Sequence, residues 1–210
     1  MNLSVEKKIL IRKIIVYVIF TLLFSCFQVS FPNRLTLFGQ VADLMLVYVI
    51  LVGYFFGFAD GAVVGIIVGF IRDYFAGPSF TDSQGNVTAS IGIGMLMMFI
   101  AASISSSFFT KRMNRNAAFA FVCVIFCTIC YKVTGHLIMA AVMQFFSRTS
   151  YNLSFYQIVV NSILPTLLLN VIIAGPMILV LRFIGPYSKG VNPSLSKNFL
   201  SGGDDLWLRT

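Results

Sequence analysis

Residues 40–76 form an apolar stretch of 37 residues, and that stretch limits the possible folds more than any other feature. As one α-helix rising 1.5 Å per residue it would be about 55 Å long, against a bilayer hydrocarbon core of about 30 Å. A soluble fold cannot absorb it either. Only 10% of the chain is charged and 58% is hydrophobic, whereas soluble domains carry about 25% charged residues to cover their surface. With a mean hydropathy of +0.91, most of the chain has the bilayer as its solvent. The stretch must therefore break. Gly57-Phe58-Ala59-Asp60-Gly61 is the natural place, and it yields two short spans.

The same reading along the chain predicts an all-α integral membrane protein. A six-span membrane domain is expected over residues 1–185, with spans at about 9–30, 40–57, 59–76, 89–109, 117–143 and 157–184. A polar cytoplasmic tail is expected over residues 186–210. The first span follows a basic start (Lys7, Lys8, Arg12, Lys13), and no A-x-A cleavage site comes after it, so it reads as an uncleaved helix. Pro165 and Pro176 in the sixth span are kinks that neighbouring helices can tolerate in a membrane.

Orientation follows from the cations. With the N-terminus inside, eleven fall on the cytoplasmic side: Lys7, Lys8, Arg12, Lys13, Lys111, Arg112, Arg115, Arg182, Lys189, Lys197 and Arg209. Three (Arg34, Arg72, Arg148) fall outside, and Lys132 lies within a span. Six spans with both ends in the cytoplasm keep this bias, and a five-span arrangement spoils it. The net charge of +8 is thereby read as a topology signal facing anionic lipid, with the bilayer as partner and no nucleic acid.

Catalysis finds no support in the motifs. No GxSxG, HExxH, paired-carboxylate or phosphate-cradling pattern occurs, and His136 is the one histidine. No catalytic residue, metal or cofactor is expected. Cys26, Cys123, Cys127 and Cys130 all lie in apolar segments, which is no disulfide framework. On a helix, the last three form a row about 10 Å long, too extended for one compact cluster to bind them all.

Two sets of residues stand out as candidate sites. Glycines recur every four residues at Gly53, Gly57, Gly61, Gly65 and Gly69, continuing into Asp73 and Gly77. Residues four apart share one side of a helix, so within the third span Gly61, Gly65 and Gly69 make a groove free of side chains, and with Gly57 before it and Asp73 at its next position they form a candidate partner-binding groove. In lipid, such a groove admits another helix to backbone contact. The helix admitted belongs either to the same chain or to a partner protein, and the two are compatible. Asp73 beside Arg72 is either an interfacial pair or a polar contact for a partner. The second set is an intramembrane polar centre. Lys132 and His136 lie four apart on one face of the fifth span, with Asp43 and Asp60 as candidate companions and Asn161 and Asn170 as others. Ionisable groups at membrane depth are costly. The centre is open to three readings: a buried tie between helices, a ligand pocket or ion path, or a contact for a partner.

The run over residues 56–78, FGFADGAVVGIIVGFIRDYFAGP, resembles the core of the rod shape-determining MreD family, with glycines at four-residue spacing ending in aspartate and glycine. That family opens its second span with Pro-Asp, where this chain has Ala42-Asp43, so the aspartate matches and the proline does not. The local similarity covers residues 40–94, and beyond it the span pattern agrees. The resemblance implies a non-catalytic subunit in the bacterial inner membrane, part of the elongation machinery that controls cell shape and lateral peptidoglycan synthesis. It implies an MreC-type protein, a RodA-type glycosyltransferase and the latter's transpeptidase as partners. It also implies a fold similar to the six-span substrate-binding subunits of energy-coupling-factor transporters. The rival expectation is a vitamin-type transporter subunit with a pocket around Lys132 and His136.

Overall fold

The computed structural model describes residues 3–30, 36–37, 39–76, 79–81, 87–89, 92–107, 116–142 and 155–187. Most of the expected basic loop at 111–116, the expected tail from residue 188 onward and the connection at 143–154 lie outside the described residues. The fold is almost all helical. Its helices are α1 (Leu3–Ser30), α2 (Leu44–Phe56), α3 (Phe58–Ala76), α4 (Ile93–Ser107) and α5 (Ala117–Val142). A short α6 (Phe155–Ile158) then runs through a π-helical stretch (Val159–Ile163) into α7 (Leu164–Ile184). Among the described residues two antiparallel strand pairs lie between helices: β1 (Thr36–Leu37) pairs with β2 (Gln40–Val41), and β3 (Ser79–Thr81) with β4 (Val87–Ala89).

The apolar stretch breaks at Gly57, whose φ of 98° and ψ of 178° fall where L-residues with a Cβ are strained. The Gly57 N–H still closes α2 onto the Gly53 carbonyl at 3.1 Å, and its own carbonyl accepts from Gly61 at 3.0 Å. One residue therefore ends α2, starts α3 and reverses the chain. At the other end of α2 the helix starts at Leu44, later than the span expected from residue 40. Asp43 is the reason, because its side chain caps the helix by accepting from the Leu46 N–H at 3.0 Å. Gln40 and Val41 are instead spent in the first hairpin. The fourth helix likewise begins at Ile93, not near residue 89, because Val87–Ala89 pairs as a strand.

The π-helical stretch has a local cause. Pro165 has no N–H to give and crowds the preceding turn. The Leu164 N–H reaches back five residues to the Val159 carbonyl, and the widened turn accommodates the proline.

α2 is the axle of the bundle. Every side chain from Met45 to Phe56 is buried, as expected of a helix that is apolar all round. It contacts α1, α3, α4, α5 and α7. Around it α3 packs on α1 and α4, α4 on α5, and α5 on α7, while Arg12 and Lys13 of α1 meet Gly185 and Tyr187 just past α7. The core is built from α2 with Phe20, Val64, Val68, Met98, Ala102, Cys123, Val124, Cys127, Ala174 and Leu181. The outward faces are apolar too: Leu10, Ile14, Val18 and Leu22 on α1, and Val63, Ile67 and Phe70 on α3, are all exposed. Apolar residues both inside and outside are the pattern of a chain solvated by lipid.

Among the described residues three helices are long and apolar enough to cross a membrane: Leu10–Ser30, Ala117–Ile138 and Tyr156–Ile184. α2 and α4 are shorter apolar helices, of 13 and 15 residues, or about 20 and 22 Å at 1.5 Å per residue. α2 escapes the mismatch with a bilayer because the other helices surround it.

Candidate functional site

The glycine ladder is filled from within. A Cβ built on Gly61 would lie 2.7 Å from the Cα of Gly53. On Gly65 it would lie 2.9 Å from the Met98 carbonyl oxygen, and on Gly69 it would lie 2.5 Å from the Cα of Met95. Met95 and Met98 belong to α4, so the face of α3 carrying Gly61, Gly65 and Gly69 holds α4 of the same chain at backbone contact. Gly53 extends the seam, meeting Ala102 and Ser105 of α4. Gly57 is the α2–α3 reversal described above. A partner helix would have to displace α4 to use this groove.

Asp73 completes the α3–α4 seam. Its carboxylate accepts from the N–H groups of Gly92 at 2.7 Å, Gly94 at 2.8 Å and Met95 at 3.2 Å. The first amides of a helix have no partner within it, and Asp73 caps α4 from a neighbouring helix. Asp73→Asn keeps the shape but removes the charge and turns one acceptor into a donor facing N–H groups. It is expected to destabilise the protein by about 2 kcal/mol, read as a lowered Tm of the purified protein in detergent. An unchanged Tm would show that the cap does not hold α4.

The polar centre expected from the sequence is split between the two ends of the bundle. At one end Asp60, 7% exposed, opens α3. It pairs with Lys13 of α1 at 2.5 Å and accepts from the hydroxyls of Tyr17 at 2.8 Å and Tyr187 at 2.7 Å. The Lys13 ammonium also sits over the Tyr187 ring, 5.6 Å from its centroid. Burial, and then the hydrogen bond to Asp60, raise the Tyr187 phenol above its ordinary range, so it stays protonated and donates. This cluster fastens the chain just past α7 to the start of α1 and the start of α3.

At the other end Asp43, 6% exposed, pairs with Arg72 of α3 at 2.6 Å. The Asp43 N–H donates to Asn170 Oδ1 at 2.8 Å, and Asn170 Nδ2 donates to Thr128 at 3.2 Å, which ties α2, α7 and α5 together. The Leu44 N–H donates to Gln28 of α1 at 2.8 Å. Arg72 lies over the Tyr131 ring, 5.3 Å from its centroid. Lys132 Nζ donates to Gln40 Oε1 at 3.4 Å, and His136 meets Ser162 at 3.2 Å. Asp43, Asn170, Lys132 and Arg72 thus belong together, with His136 further along α5. Asp60 is remote from them, since it and Arg72 stand twelve residues apart on α3, or about 18 Å. Asn161 points away, exposed on the bundle surface. Arg72 pairs across the axle with Asp43, not with its neighbour Asp73.

Sequence reasoning missed Lys13, Tyr17 and Tyr187 as partners of Asp60. Lys13 looked like a topology residue and Tyr187 like part of a tail. The available signal was the spacing of Lys13 and Tyr17, four apart on one face of α1.

Between α4 and α5 the described residues outline a crevice of about 20 Å³. It is lined largely by apolar groups, among them Met97, Ile104, Cys127 and Tyr131, and includes neither Lys132 nor His136. Among the described residues no group of three or more metal-ligating side chains occurs. No family model, no curated protein and no solved structure matches the chain.

Proposed function

We propose that this chain is a non-catalytic scaffold subunit of the bacterial inner membrane. It spans the bilayer six times with both ends in the cytoplasm, in a fold of the energy-coupling-factor substrate-binding type. In this reading it binds an MreC-type protein, a RodA-type glycosyltransferase and its transpeptidase, and so serves cell elongation and lateral peptidoglycan synthesis. The resemblance over residues 40–94 supports the family. The sense of the helices supports the topology, because α6 and α7 continue as one helix, and residues 12–13 at the start of α1 meet residues 185–187 past the end of α7 at one end of the bundle.

One observation carries the choice of a binding role over transport. The axis of the bundle is occupied by α2, with every side chain from Met45 to Phe56 buried. A bundle with a solid apolar axle presents surfaces rather than a conduit. Since α4 occupies the glycine face, partners would meet outward apolar surfaces such as that of α3 around Val63, Ile67 and Phe70.

Affinity purification of the full chain from its native membrane is expected to recover the MreC-type and wall-synthesis proteins. Recovery of transporter ATPase subunits in their place would reverse the reading in favour of a vitamin-type transporter. Single cysteines placed at residues 111–116 are expected to resist impermeant thiol reagents in intact cells. Labelling there from outside would overturn the six-span map.

A further inference from the structure

Among the described residues, the end of the bundle that holds Asp43 carries more positive charge than its carboxylates neutralise. Arg72 pairs with Asp43 and lies over the ring of Tyr131, the residue before Lys132 on α5, while Lys132 reaches Gln40, three residues before Asp43. The other carboxylate nearby, Asp73, is turned onto three backbone N–H groups of α4. Two cations thus face one available carboxylate. Most of their donors also have no partner among the described residues. Among the described residues, Arg72 gives one hydrogen bond, to Asp43, out of the five N–H groups of a guanidinium. Lys132 gives one long bond of 3.4 Å, to the neutral Gln40, out of three.

Neither side chain is sealed away. The Arg72 side chain is 30% exposed, and Lys132 is half-buried. A half-desolvated cation without a counter-charge is costly at membrane depth. An anion there is attracted more strongly than in water because the surroundings are of low dielectric.

We propose that this mouth of the bundle is an oxyanion site, in which a phosphate-type group bridges Arg72 and Lys132 above the Asp43–Arg72 pair. The planar fork of Arg72 suits two oxygens of one phosphate, and Lys132 supplies a point charge to a third. Asp43 limits the site to one anion, because it already cancels one of the two positive charges. Tyr131, stacked under the guanidinium, holds the fork in place. The site is independent of the elongation-complex reading: it stands whether or not the chain binds wall-synthesis proteins.

The phosphate-type group could be a soluble anion or a lipid headgroup, and the test separates them. Purified full-length protein is heated in detergent with inorganic phosphate or with chloride at equal ionic strength. It is also heated in nanodiscs of phosphatidylglycerol or of phosphatidylcholine. Each series is repeated with Lys132→Gln, which keeps a donor for Gln40, and with Arg72→Lys, which keeps the pair with Asp43 but loses the fork. Excess phosphate strengthens burial generally, so the informative quantity is the difference between wild type and variant.

A soluble ligand predicts that phosphate raises the wild-type Tm in a saturable way, with apparent affinity at least tenfold weaker in Lys132→Gln and weakened in Arg72→Lys. A lipid ligand predicts no such difference with phosphate, and a Tm gain in phosphatidylglycerol over phosphatidylcholine that Lys132→Gln abolishes. If Lys132→Gln responds like wild type in both series, or wild type responds in neither, there is no oxyanion site.

Discussion

Gly69→Leu is expected to leave almost no folded protein. A single methyl at this position would already lie 2.5 Å from the Cα of Met95, with the Gly94 carbonyl and the Met95 nitrogen also too close. The obstructing atoms are backbone, so no side chain can swing aside, and α4 must be pushed bodily off α3. That would drag Gly92, Gly94 and Met95 away from the Asp73 carboxylate and open the seam that continues through Gly65 to Gly61. Ordinary overpacking costs about 1–3 kcal/mol. Loss of helix contact and cap together is expected to exceed about 4 kcal/mol, a large share of the total stability of a domain.

The control is one turn away on the same helix. Ile66→Leu lies on the exposed outer face and is expected to behave as wild type. Detergent extraction followed by size-exclusion chromatography reads both. Monodisperse Gly69→Leu at wild-type yield would mean that α3 and α4 do not meet as described. Gly65→Leu, which confronts the Met98 carbonyl, is expected to behave like Gly69→Leu. If either variant folded yet lost an MreC-type partner, the groove would be a docking surface and not an internal seam.

The contrast between the ladder and the polar centre shows what one sequence reveals. A four-residue glycine period is a local property, because helix geometry alone puts those positions on one side. It announces a close helix contact without naming the helix, since a groove in α3 fits α4 and a foreign helix equally well. The break at Gly57 was also legible, from length: a 37-residue helix would exceed the bilayer core, and Gly57, with Asp60 and Gly61 close behind it, is where a reversal costs least. The Asp43 cap was hidden because Ala42-Asp43 sits inside an apolar run, and hydropathy does not register a residue that ends a helix while remaining buried.

The grouping of charges was the least legible. Asp43 and Asp60 look equivalent in sequence, yet α2 lies between them and sets them at opposite ends. Their partners come from α1, α3, α7 and the chain just past α7, at separations of 29 residues for Arg72 and 127 for Asn170 and Tyr187. Nothing in local spacing encodes contacts of that range. They follow only once the order of the helices around α2 is known.

Arg72 and Asp43 are expected to be strongly and unequally coupled. Arg72→Gln leaves the Asp43 carboxylate, 6% exposed, without the cation that pairs with it. Breaking a buried pair from one side costs about 3–5 kcal/mol, and the 30% exposure of the Arg72 side chain places the expected loss at the lower end, about 3 kcal/mol. Asp43→Asn is expected to cost less. Asparagine caps a helix almost as well as aspartate, so the bond from the Leu46 N–H survives, and the stranded guanidinium can turn to water or to an anion.

The double variant should then be more stable than Arg72→Gln alone, because removing the second charge relieves the penalty left by the first. In a thermal-unfolding cycle on the four proteins in one detergent, the two losses are expected to overshoot the double by at least about 1.5 kcal/mol. Strict additivity would mean that water already screens the pair, and that this end of the bundle lies outside the low-dielectric region. Restoring Arg72→Gln with the second substitution would instead place Asp43 where the structure has it, at the buried head of the central helix, with Arg72 reaching over it from α3.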